Sequence, residues 1–416
     1  MSQMETKLNN LFLNEGRTIG IRCCKNSNPV VYCGEGQPTR ILASIGMSFE
    51  NDTIDVEIDK AKNAILAGAE IITDHSIAGD IPRFQKELIS STNVPISYLT
   101  IYELLSRIEK SHQYYLDKNM ALELIEEQAE RGITLLTIHA TANREMIEKH
   151  NKISDRTILS TSRGGAAILD ILMKTNCENV YWEHFEEICN IAKKYNITLS
   201  LGSTYRPASV CDAGENDFLY WEETKLMGKL VGICLQHQVP VMVEGIGHAP
   251  IHKIPYIIKE SKEICKHVPY RVLSVATDIA LGLDHISSAI AISIAALNGA
   301  DLATCITRSE HLGQPFQEDI IEGILAAKVA AHCADIAKLN NYERDKAMSL
   351  ARANVGCHGL VEAAINRDVA EDSLVRYSKG KRDGEITCSM CGDRCALAHK
   401  LNDTLNMSKG DSTANV

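Results

Sequence analysis

The sequence predicts an α/β protein built on a closed (β/α)8 barrel of the TIM type, with shorter segments at both ends. Between residues 37 and 316, short apolar stretches alternate with longer helical patterns, which is the order of elements in a parallel sheet. Eight or nine such repeats over about 270 residues favour a closed barrel over an open doubly wound sheet. No G-x-G-x-x-G motif follows the first predicted strand, which weakens the alternative of a dinucleotide-binding fold.

The predicted strands are short, apolar and bounded by polar residues or glycines. They cover residues 40–46, 70–74, 95–101, 134–139, 157–162, 198–202, 240–244, 270–276 and 302–307. Nine candidates exceed the eight strands of such a barrel, so we expect one of them to be an accessory strand. Longer patterns between the strands predict helices, for instance over residues 55–67, 121–131 and 182–195.

The two ends of the chain differ in composition from the barrel. Residues 1–36 are predicted to form a short irregular N-terminal flap, and residues 317–378 a helical segment with long helices over 317–339 and 342–365. The sequence Lys-Gly-Lys-Arg-Asp-Gly at 379–384 is typical of a solvated, flexible linker. Residues 379–416 are therefore predicted to be a flexible tail, disordered from residue 402 onwards.

Composition excludes several classes of function. The net charge of −11 and pI near 5.7 oppose nucleic acid as the main partner, because phosphate binding needs a basic face. No apolar stretch reaches the ~18 residues of a membrane span, and the polar start is not a signal peptide. Most of the 14 cysteines stand singly in apolar stretches, which indicates a reducing compartment. We expect a cytoplasmic protein that binds neither nucleic acid nor membrane.

Three cysteines near the end of the chain have the spacing of ligands: Cys388, Cys391 and Cys395. Three thiolates suit three corners of a [4Fe–4S] cluster, whose fourth iron stays open to an exogenous ligand. A structural zinc site needs four ligands, and His399 would complete a Cys3His set, so a zinc-binding tail is the alternative. A tethered cluster could dock onto a site elsewhere in the chain.

Polar side chains follow nearly every predicted strand, at the end where a barrel carries its chemistry. With few apolar exceptions the residues there are polar: Met47, Ser48, Asp74, His75, Tyr102, His139, Ser162, Arg163, Gly164, Gly165, Ser203, Arg206, Glu244, His248, Tyr270 and His311. A lone histidine in such a position is more often structural than catalytic. So many strand ends in register indicate a functional site instead.

One group of these residues suits an anion. The sequence Ser-Arg-Gly-Gly at 162–165 combines a hydroxyl, a guanidinium fork and glycine N–H groups that an anion can approach closely. With Arg206 it forms a candidate clamp for a substrate phosphate. The alternative is an ordinary glycine turn beside a surface arginine.

A second group suits a metal or acid–base chemistry. Glu244 and His248 flank a glycine-rich turn, and His311 follows the last strand. Two neutral imidazoles with open positions for water suit a divalent metal such as Zn²⁺. Asp284 and His285 form a competing pair, which we expect to support the site from outside, because their neighbours resemble the start of a helix.

In this order, the motifs resemble those of the ThiC family, the radical S-adenosylmethionine enzymes that make the pyrimidine of thiamine. The resemblance covers about residues 40–400, nearly the whole chain. The matching strings lie at 137–140, 162–165, 184–186, 200–202, 206–207, 241–245, 247–248, 252–254, 277–280, 284–286, 310–313 and 388–392.

This resemblance implies a lyase that acts on 5-aminoimidazole ribotide. Cys388, Cys391 and Cys395 would hold a [4Fe–4S] cluster that binds S-adenosylmethionine, whose reductive cleavage makes a 5′-deoxyadenosyl radical. That radical would remove hydrogen from the substrate ribose and start a skeletal rearrangement. A homodimer that exchanges its tails and an electron donor such as flavodoxin or ferredoxin are also implied.

The resemblance also assigns roles to single residues. His248 and His311 would bind Zn²⁺ or another divalent metal, and His139, Glu244 and Tyr270 would be catalytic. The residues implied to contact the ribotide are Tyr102, His139, Ser162, Arg163, Gly164, Arg206, Glu244 and Tyr270, with Met47, Thr73 and Ser203 at three further contact positions.

Departures from the family pattern keep alternatives open. The cysteine spacing is one residue shorter than the family's, and Met47, Thr73 and Ser203 replace an asparagine, a methionine and an aspartate. The first hypothesis is a synthase of 4-amino-5-hydroxymethyl-2-methylpyrimidine phosphate, and the second is a 5-hydroxybenzimidazole synthase that uses the same ribotide. The others are a metal-dependent barrel hydrolase or lyase with a structural zinc tail, and a catalytically inactive paralogue.

Overall fold

The computed structural model describes residues 13, 15–25, 29–49, 53–112, 115–152, 156–353, 358–377, 380–382, 385–387, 390–391 and 394–399. The chain forms two compact units, Met1–Leu339 and Asn340–Val416. Within the described residues, no helix is long and apolar enough to cross a membrane.

The first unit contains a closed barrel of parallel strands, which confirms the predicted (β/α)8 fold. Its strands are β1 (Thr18–Arg22), β2 (Pro29–Gly34), β3 (Arg40–Ile45), β4 (Ile71–Asp74), β5 (Ile96–Leu99), β6 (Leu135–Ile138), β7 (Thr198–Leu201), β8 (Val241–Gly245), β9 (Tyr270–Val272) and β10 (Leu302–Thr304). Strands β3 to β9 pair in chain order, and β10 closes the barrel by pairing with both β9 and β3.

Helices lie between the strands along the chain. They are α1 (Ile54–Ala67), α2 (Ile81–Ser91), α3 (Thr100–Ser111), α4 (Lys118–Arg131), α5 (Arg144–Lys152), α6 (Arg163–Thr175), α7 (Val180–Glu183), α8 (Phe185–Tyr195), α9 (Phe218–His237), α10 (Ile254–Ile264), α11 (Asp284–Leu297) and α12 (Gln317–Leu339). Their buried faces and the outer sides of the strands share one large core.

Local sequence explains where several helices begin and end. Thr53 caps α1 by accepting a hydrogen bond from the backbone N–H of Val56, and acidic residues in the first turn complement the helix dipole. The helix ends at Gly68, whose φ of 113° favours glycine. The same kind of cap begins α2, α4, α6 and α9, at Asp80, Asp117, Ser162 and Asp217.

Eight of the nine strand predictions correspond to barrel strands, and the ninth, 157–162, was wrong. This segment is not a strand, because its polar backbone groups bind side chains rather than a neighbouring strand. The backbone N–H groups of Thr157 and Ile158 donate to the carboxylate of Asp212, and the hydroxyl of Ser160 donates to the carbonyl of Thr204. The segment ends at Ser162, the N-cap of α6.

The N-terminal segment is also more regular than predicted. Strands β1 and β2 form an antiparallel hairpin in place of the expected irregular flap. Its apolar side chains pack against inward-facing residues near the starts of the barrel strands, and so close the N-terminal end of the barrel. This second core consists of Ile19, Ile21, Val31 and Cys33 from the hairpin, and Leu42, Ile71, Leu135, Met242 and Leu302 from the barrel.

Shortening a buried side chain of the β1–β2 hairpin should destabilise the protein. Ile21 is fully buried, so we expect Ile21→Ala to lower the free energy of unfolding by about 2–5 kcal/mol through lost burial and the cavity left behind. Val30 lies on the same hairpin but is 41% exposed, so Val30→Ala should change the free energy of unfolding by less than about 0.5 kcal/mol. Urea unfolding of both variants measures the difference, and equal effects would contradict the packing described here.

The second unit contains α13 (Glu343–Ala353), α14 (His358–Ala363), α15 (Arg367–Tyr377), β11 (Gly380–Arg382), β12 (Glu385–Thr387) and a 3₁₀ helix at Ala396–His399. The single helix predicted over 342–365 is thus two helices in the described residues. Where it is described, the linker predicted at 379–384 contains β11, which pairs antiparallel with β12, and its predicted flexibility stays a prediction. The disorder predicted from residue 402 lies outside the described residues, and the predicted domain boundaries stay a prediction.

Candidate active site

A cavity of about 700 Å³ lies at the C-terminal ends of the barrel strands. This is the end of a barrel where parallel strands present their loops to one another. The lining contains nine residues to which a role was assigned, namely Met47, Tyr102, His139, Ser162, Arg163, Gly164, Arg206, Glu244 and His311, and also the strand-end residues Ser48 and His75. Residues that are far apart in the sequence are thus brought together as the strand-end pattern predicts.

The centre of the cavity is a carboxylate between two guanidinium groups. Glu244 Oε1 lies 2.8 Å from Nη1 of Arg271, and Oε2 lies 3.3 Å from Nη1 of Arg206. Burial acts to raise the pKa of Glu244, but Arg271 and Arg206 together hold this pKa below its usual value. Arg163 also lines the cavity, so three guanidinium groups and one ionised carboxylate leave its lining suited to an anion.

The predicted anion clamp is assembled around the N-terminus of α6. Ser162 caps this helix, and the guanidinium carbon of Arg163 lies 5.7 Å from the ring centroid of Tyr102. A Cβ atom on Gly164 would come within 2.6 Å of the His139 ring, and one on Gly165 within 2.5 Å of the Thr204 hydroxyl. The two glycines therefore let the helix N-terminus approach His139 and Thr204 closely, and the Gly165 N–H donates to the Ser162 hydroxyl.

Two histidines that line the cavity are neutral, the buried His139 and the half-buried His75. Burial lowers the pKa of His139 to about 4, with Glu244 opposing the shift and Arg206 adding to it. Burial and then Arg271 lower the pKa of His75 to about 3. The Nε2 atom of His139 lies 3.1 Å from the hydroxyl of Ser162, whereas its Nδ1 atom has no hydrogen-bond partner among the described residues.

The neutral state of His139 predicts a pH dependence of stability. Its pKa falls from about 6.5 in the unfolded chain to about 4 in the folded protein, so between these values only the unfolded chain binds the proton. Stability is thus lost as the pH falls through this window. Urea unfolding at pH 7 and pH 5 should show a larger loss for wild type than for His139→Asn, by about 2 kcal/mol. Equal losses would mean that His139 is charged when folded.

His248 and His311 lie together, as expected for a pair of metal ligands. Their ring centroids are 5.1 Å apart. His248 Nδ1 lies 2.8 Å from a carboxylate oxygen of Asp278, and His311 Nδ1 lies 3.5 Å from one of Asp284. A carboxylate at Nδ1 orients an imidazole so that Nε2 is available to a metal. No group of three or more side chains that could hold a metal ion occurs among the described residues, so metal binding by this pair stays a prediction.

Asp284 and His285, the predicted competing pair, contact different residues. Asp284 contacts His311 and thus supports it, as predicted, whereas His285 Nε2 lies 3.5 Å from a carboxylate oxygen of Glu322.

The cysteine motif belongs to the second unit. Cys391 is exposed and Cys395 is half-buried immediately before the 3₁₀ helix, whereas Cys388 lies outside the described residues. The backbone carbonyl of Cys391 accepts a hydrogen bond from the backbone N–H of Arg394 at 3.1 Å. Both described thiols are free and solvent-accessible, which fits the donor set of an iron–sulfur cluster.

Four of the barrel residues that were predicted to bind substrate or metal do not line the cavity. His248 is not among the lining residues, and Thr73 is fully buried within β4. The hydroxyl of Tyr270 is 2.7 Å from that of Tyr220, and the hydroxyl of Ser203 donates to the carboxylate of Glu223. The substrate contacts expected of Thr73, Tyr270 and Ser203 stay a prediction.

Arg271 was not predicted from the sequence, and His75 was predicted at a strand end without a specific role. Arg271 is 1% exposed, and its Nε donates to the hydroxyl of Thr304 at 2.9 Å. It lies in register with Glu244 on the neighbouring strand. An arginine inside an apolar strand, beside another strand that contains a glutamate, was the signal that could have identified this pair.

The chain matches the model of the Radical SAM ThiC family over residues 3–402. Phosphomethylpyrimidine synthase from Caldanaerobacter subterraneus subsp. tengcongensis is 39% identical over 371 residues, which cover 88% of this chain and 84% of that protein. The proteins of that name from Desulfotalea psychrophila and Methanocaldococcus jannaschii are 36% and 35% identical, covering 91% and 90% of this chain and 88% and 87% of their own lengths. The family resemblance is therefore confirmed, and the chain belongs to the radical SAM ThiC family of enzymes, which use S-adenosylmethionine and a [4Fe–4S] cluster.

Proposed function

We propose that this chain converts 5-aminoimidazole ribotide to 4-amino-5-hydroxymethyl-2-methylpyrimidine phosphate, the reaction of a phosphomethylpyrimidine synthase. The observation that carries the proposal is the strand-end cavity, in which Arg206 and Arg271 flank the ionised Glu244 and which Arg163 and two neutral histidines also line. Three cationic groups suit the phosphate of a ribotide, and neutral imidazoles suit its polar ring and ribose. The names of the similar proteins give further support.

The residues of the cavity have separate tasks in this proposal. Arg163 and Arg206 bind the phosphate, together with the backbone N–H groups at the start of α6. His139 bonds the substrate through Nδ1, which has no partner in the described part of the chain, while Nε2 stays engaged with Ser162. Glu244 accepts hydrogen bonds from the amino or hydroxyl groups of the ribotide. These contacts hold the ribose in one orientation and exclude water from the reacting atoms.

In this proposal, two further groups of residues would hold the cofactors. Cys388, Cys391 and Cys395 would hold the cluster, and His248 and His311 would hold Zn²⁺ or another divalent metal. When bound, the cluster and S-adenosylmethionine supply a 5′-deoxyadenosyl radical. We further propose a homodimer with exchanged tails and flavodoxin or ferredoxin as electron donor.

A second candidate function is 5-hydroxybenzimidazole synthesis from the same ribotide. Met47 favours it, because this apolar side chain lines the cavity at a position where the resemblance implies a polar substrate contact. A more apolar wall would suit a product that carries a benzene ring.

Product analysis separates the two candidates. Purified protein with a reconstituted cluster is incubated anaerobically with the ribotide, S-adenosylmethionine and a reductant. We expect a phosphorylated pyrimidine, identified by mass spectrometry. A fluorescent benzimidazole would instead support the second candidate, and the absence of both products would contradict both.

The remaining alternatives make different predictions for the same assay. A metal-dependent hydrolase with a zinc tail would form no brown chromophore with iron and sulfide. An inactive paralogue would form the chromophore but make no 5′-deoxyadenosine under reducing conditions.

A further inference from the structure

A buried carboxylate behind the cavity holds two of its loops in place. Glu223 is on α9, outside the barrel, and is only 1% exposed. It accepts four hydrogen bonds. Its Oε1 bonds the backbone N–H of Thr204 and the hydroxyl of Thr141, each at 2.7 Å. Its Oε2 bonds the backbone N–H of Tyr205 at 2.8 Å and the hydroxyl of Ser203 at 2.7 Å.

These bonds reach the loops that carry proposed substrate contacts. Thr141 is two residues after His139, in the loop that follows β6. Residues 203–205 directly precede Arg206, in the loop that follows β7. Arg206 Nη1 donates to the carbonyl of Ser203 at 3.2 Å, so the guanidinium is itself tied to the segment that Glu223 holds.

We propose that Glu223 is a positioning residue that fixes Arg206 for binding the phosphate of the ribotide. The inference rests on the proposed function, because it concerns the same substrate and the same cavity. Glu223 does not line the cavity and touches no reacting group. It acts by satisfying two adjacent backbone N–H groups, which sets the direction in which the next residue leaves the loop.

The geometry dictates an informative substitution. Glu223→Gln keeps the size of the side chain, but an amide nitrogen cannot accept a hydrogen bond. The N–H groups of Thr204 and Tyr205 bond different oxygens, so one of them loses its partner whichever way the amide turns. The hydroxyls of Thr141 and Ser203 can rotate and accept instead. The change therefore affects mainly the backbone of the loop before Arg206.

The test measures the dissociation constant of the ribotide by anaerobic calorimetry, on full-length protein with its cluster. We expect Glu223→Gln to raise this constant about 10-fold. The matched control is Asp335→Asn on α12, whose carboxylate binds the backbone N–H and hydroxyl of Thr39 before β3, at the opposite end of the barrel. It should leave the constant within about twofold.

A double-mutant cycle tests whether Glu223 acts through Arg206. In the Arg206→Ala background, adding Glu223→Gln should cost no further affinity, whereas a merely structural role would make the two losses multiply. If Glu223→Gln does not fold, Glu223→Asp takes its place, because the shorter carboxylate cannot hold both N–H groups. Unchanged affinity in either folded variant, or independent losses in the cycle, would overturn the inference. A wild-type protein that binds no ribotide would overturn the proposed function as well.

Discussion

Replacing Cys391 with alanine should abolish turnover while the barrel stays folded. The variant leaves two thiols of the proposed cluster site, too few for the three corners of a [4Fe–4S] cluster. Because the chemistry belongs to the cofactor and no side chain can replace it, we expect product formation to fall by more than about 10³-fold. Bound iron and sulfide should fall in parallel.

A second exposed cysteine provides the matched control for this experiment. Cys333 lies on α12 and is also free and exposed, but has no neighbouring cysteine at ligand spacing. Cys333→Ala should keep the iron, the sulfide and the activity of wild type. If Cys391→Ala retained activity, the cluster assignment would be wrong and a metal-dependent reaction in the barrel would be favoured.

Neutralising Glu244 should have the second large effect, on stability and activity together. Glu244→Gln removes the one carboxylate that faces both Arg206 and Arg271, and Arg271 would then stay buried without an anionic partner. Breaking such a pair costs about 3–5 kcal/mol in the free energy of unfolding. Turnover should fall by at least about 10²-fold, because the guanidinium groups would no longer be held in place.

The contrast with a surface pair makes this prediction specific. Glu87 bonds Arg83 on α2, and both side chains are exposed. Glu87→Gln should change the free energy of unfolding by less than about 1 kcal/mol and leave activity unchanged. A Glu244→Gln variant that is as stable as wild type in urea unfolding would contradict the central role of this carboxylate.

The barrel was predictable because its strands are short apolar stretches that differ in period from the helices between them. The segment 157–162 shows where this reasoning fails. Its composition resembles that of a strand, but Asp212, about 55 residues later, binds its backbone N–H groups. The hairpin β1–β2 was missed for a related reason: its burial depends on the open end of a barrel that only the whole fold creates.

The site was predictable where chemistry is concentrated in a local motif. The sequence at 162–165 combines a helix cap, a cation and glycines within four residues, so its location at the cavity could be expected. Arg271 and Glu223 carry no such local signal. Arg271 gains its role from a partner on another strand, and Glu223 resembles any glutamate of a helix until the loops that it binds are known.

The most direct test is whether a hydrogen atom of the substrate ribose is transferred to 5′-deoxyadenosine. Ribotide deuterated on the ribose is incubated anaerobically with the reconstituted protein, S-adenosylmethionine and a reductant, and the 5′-deoxyadenosine formed is analysed by mass spectrometry. The Cys391→Ala variant serves as the blank. We predict ribotide-dependent 5′-deoxyadenosine that carries deuterium, together with the phosphorylated pyrimidine. Wild-type protein with a complete cluster that forms no 5′-deoxyadenosine, or forms it without deuterium, would contradict a radical reaction at this substrate.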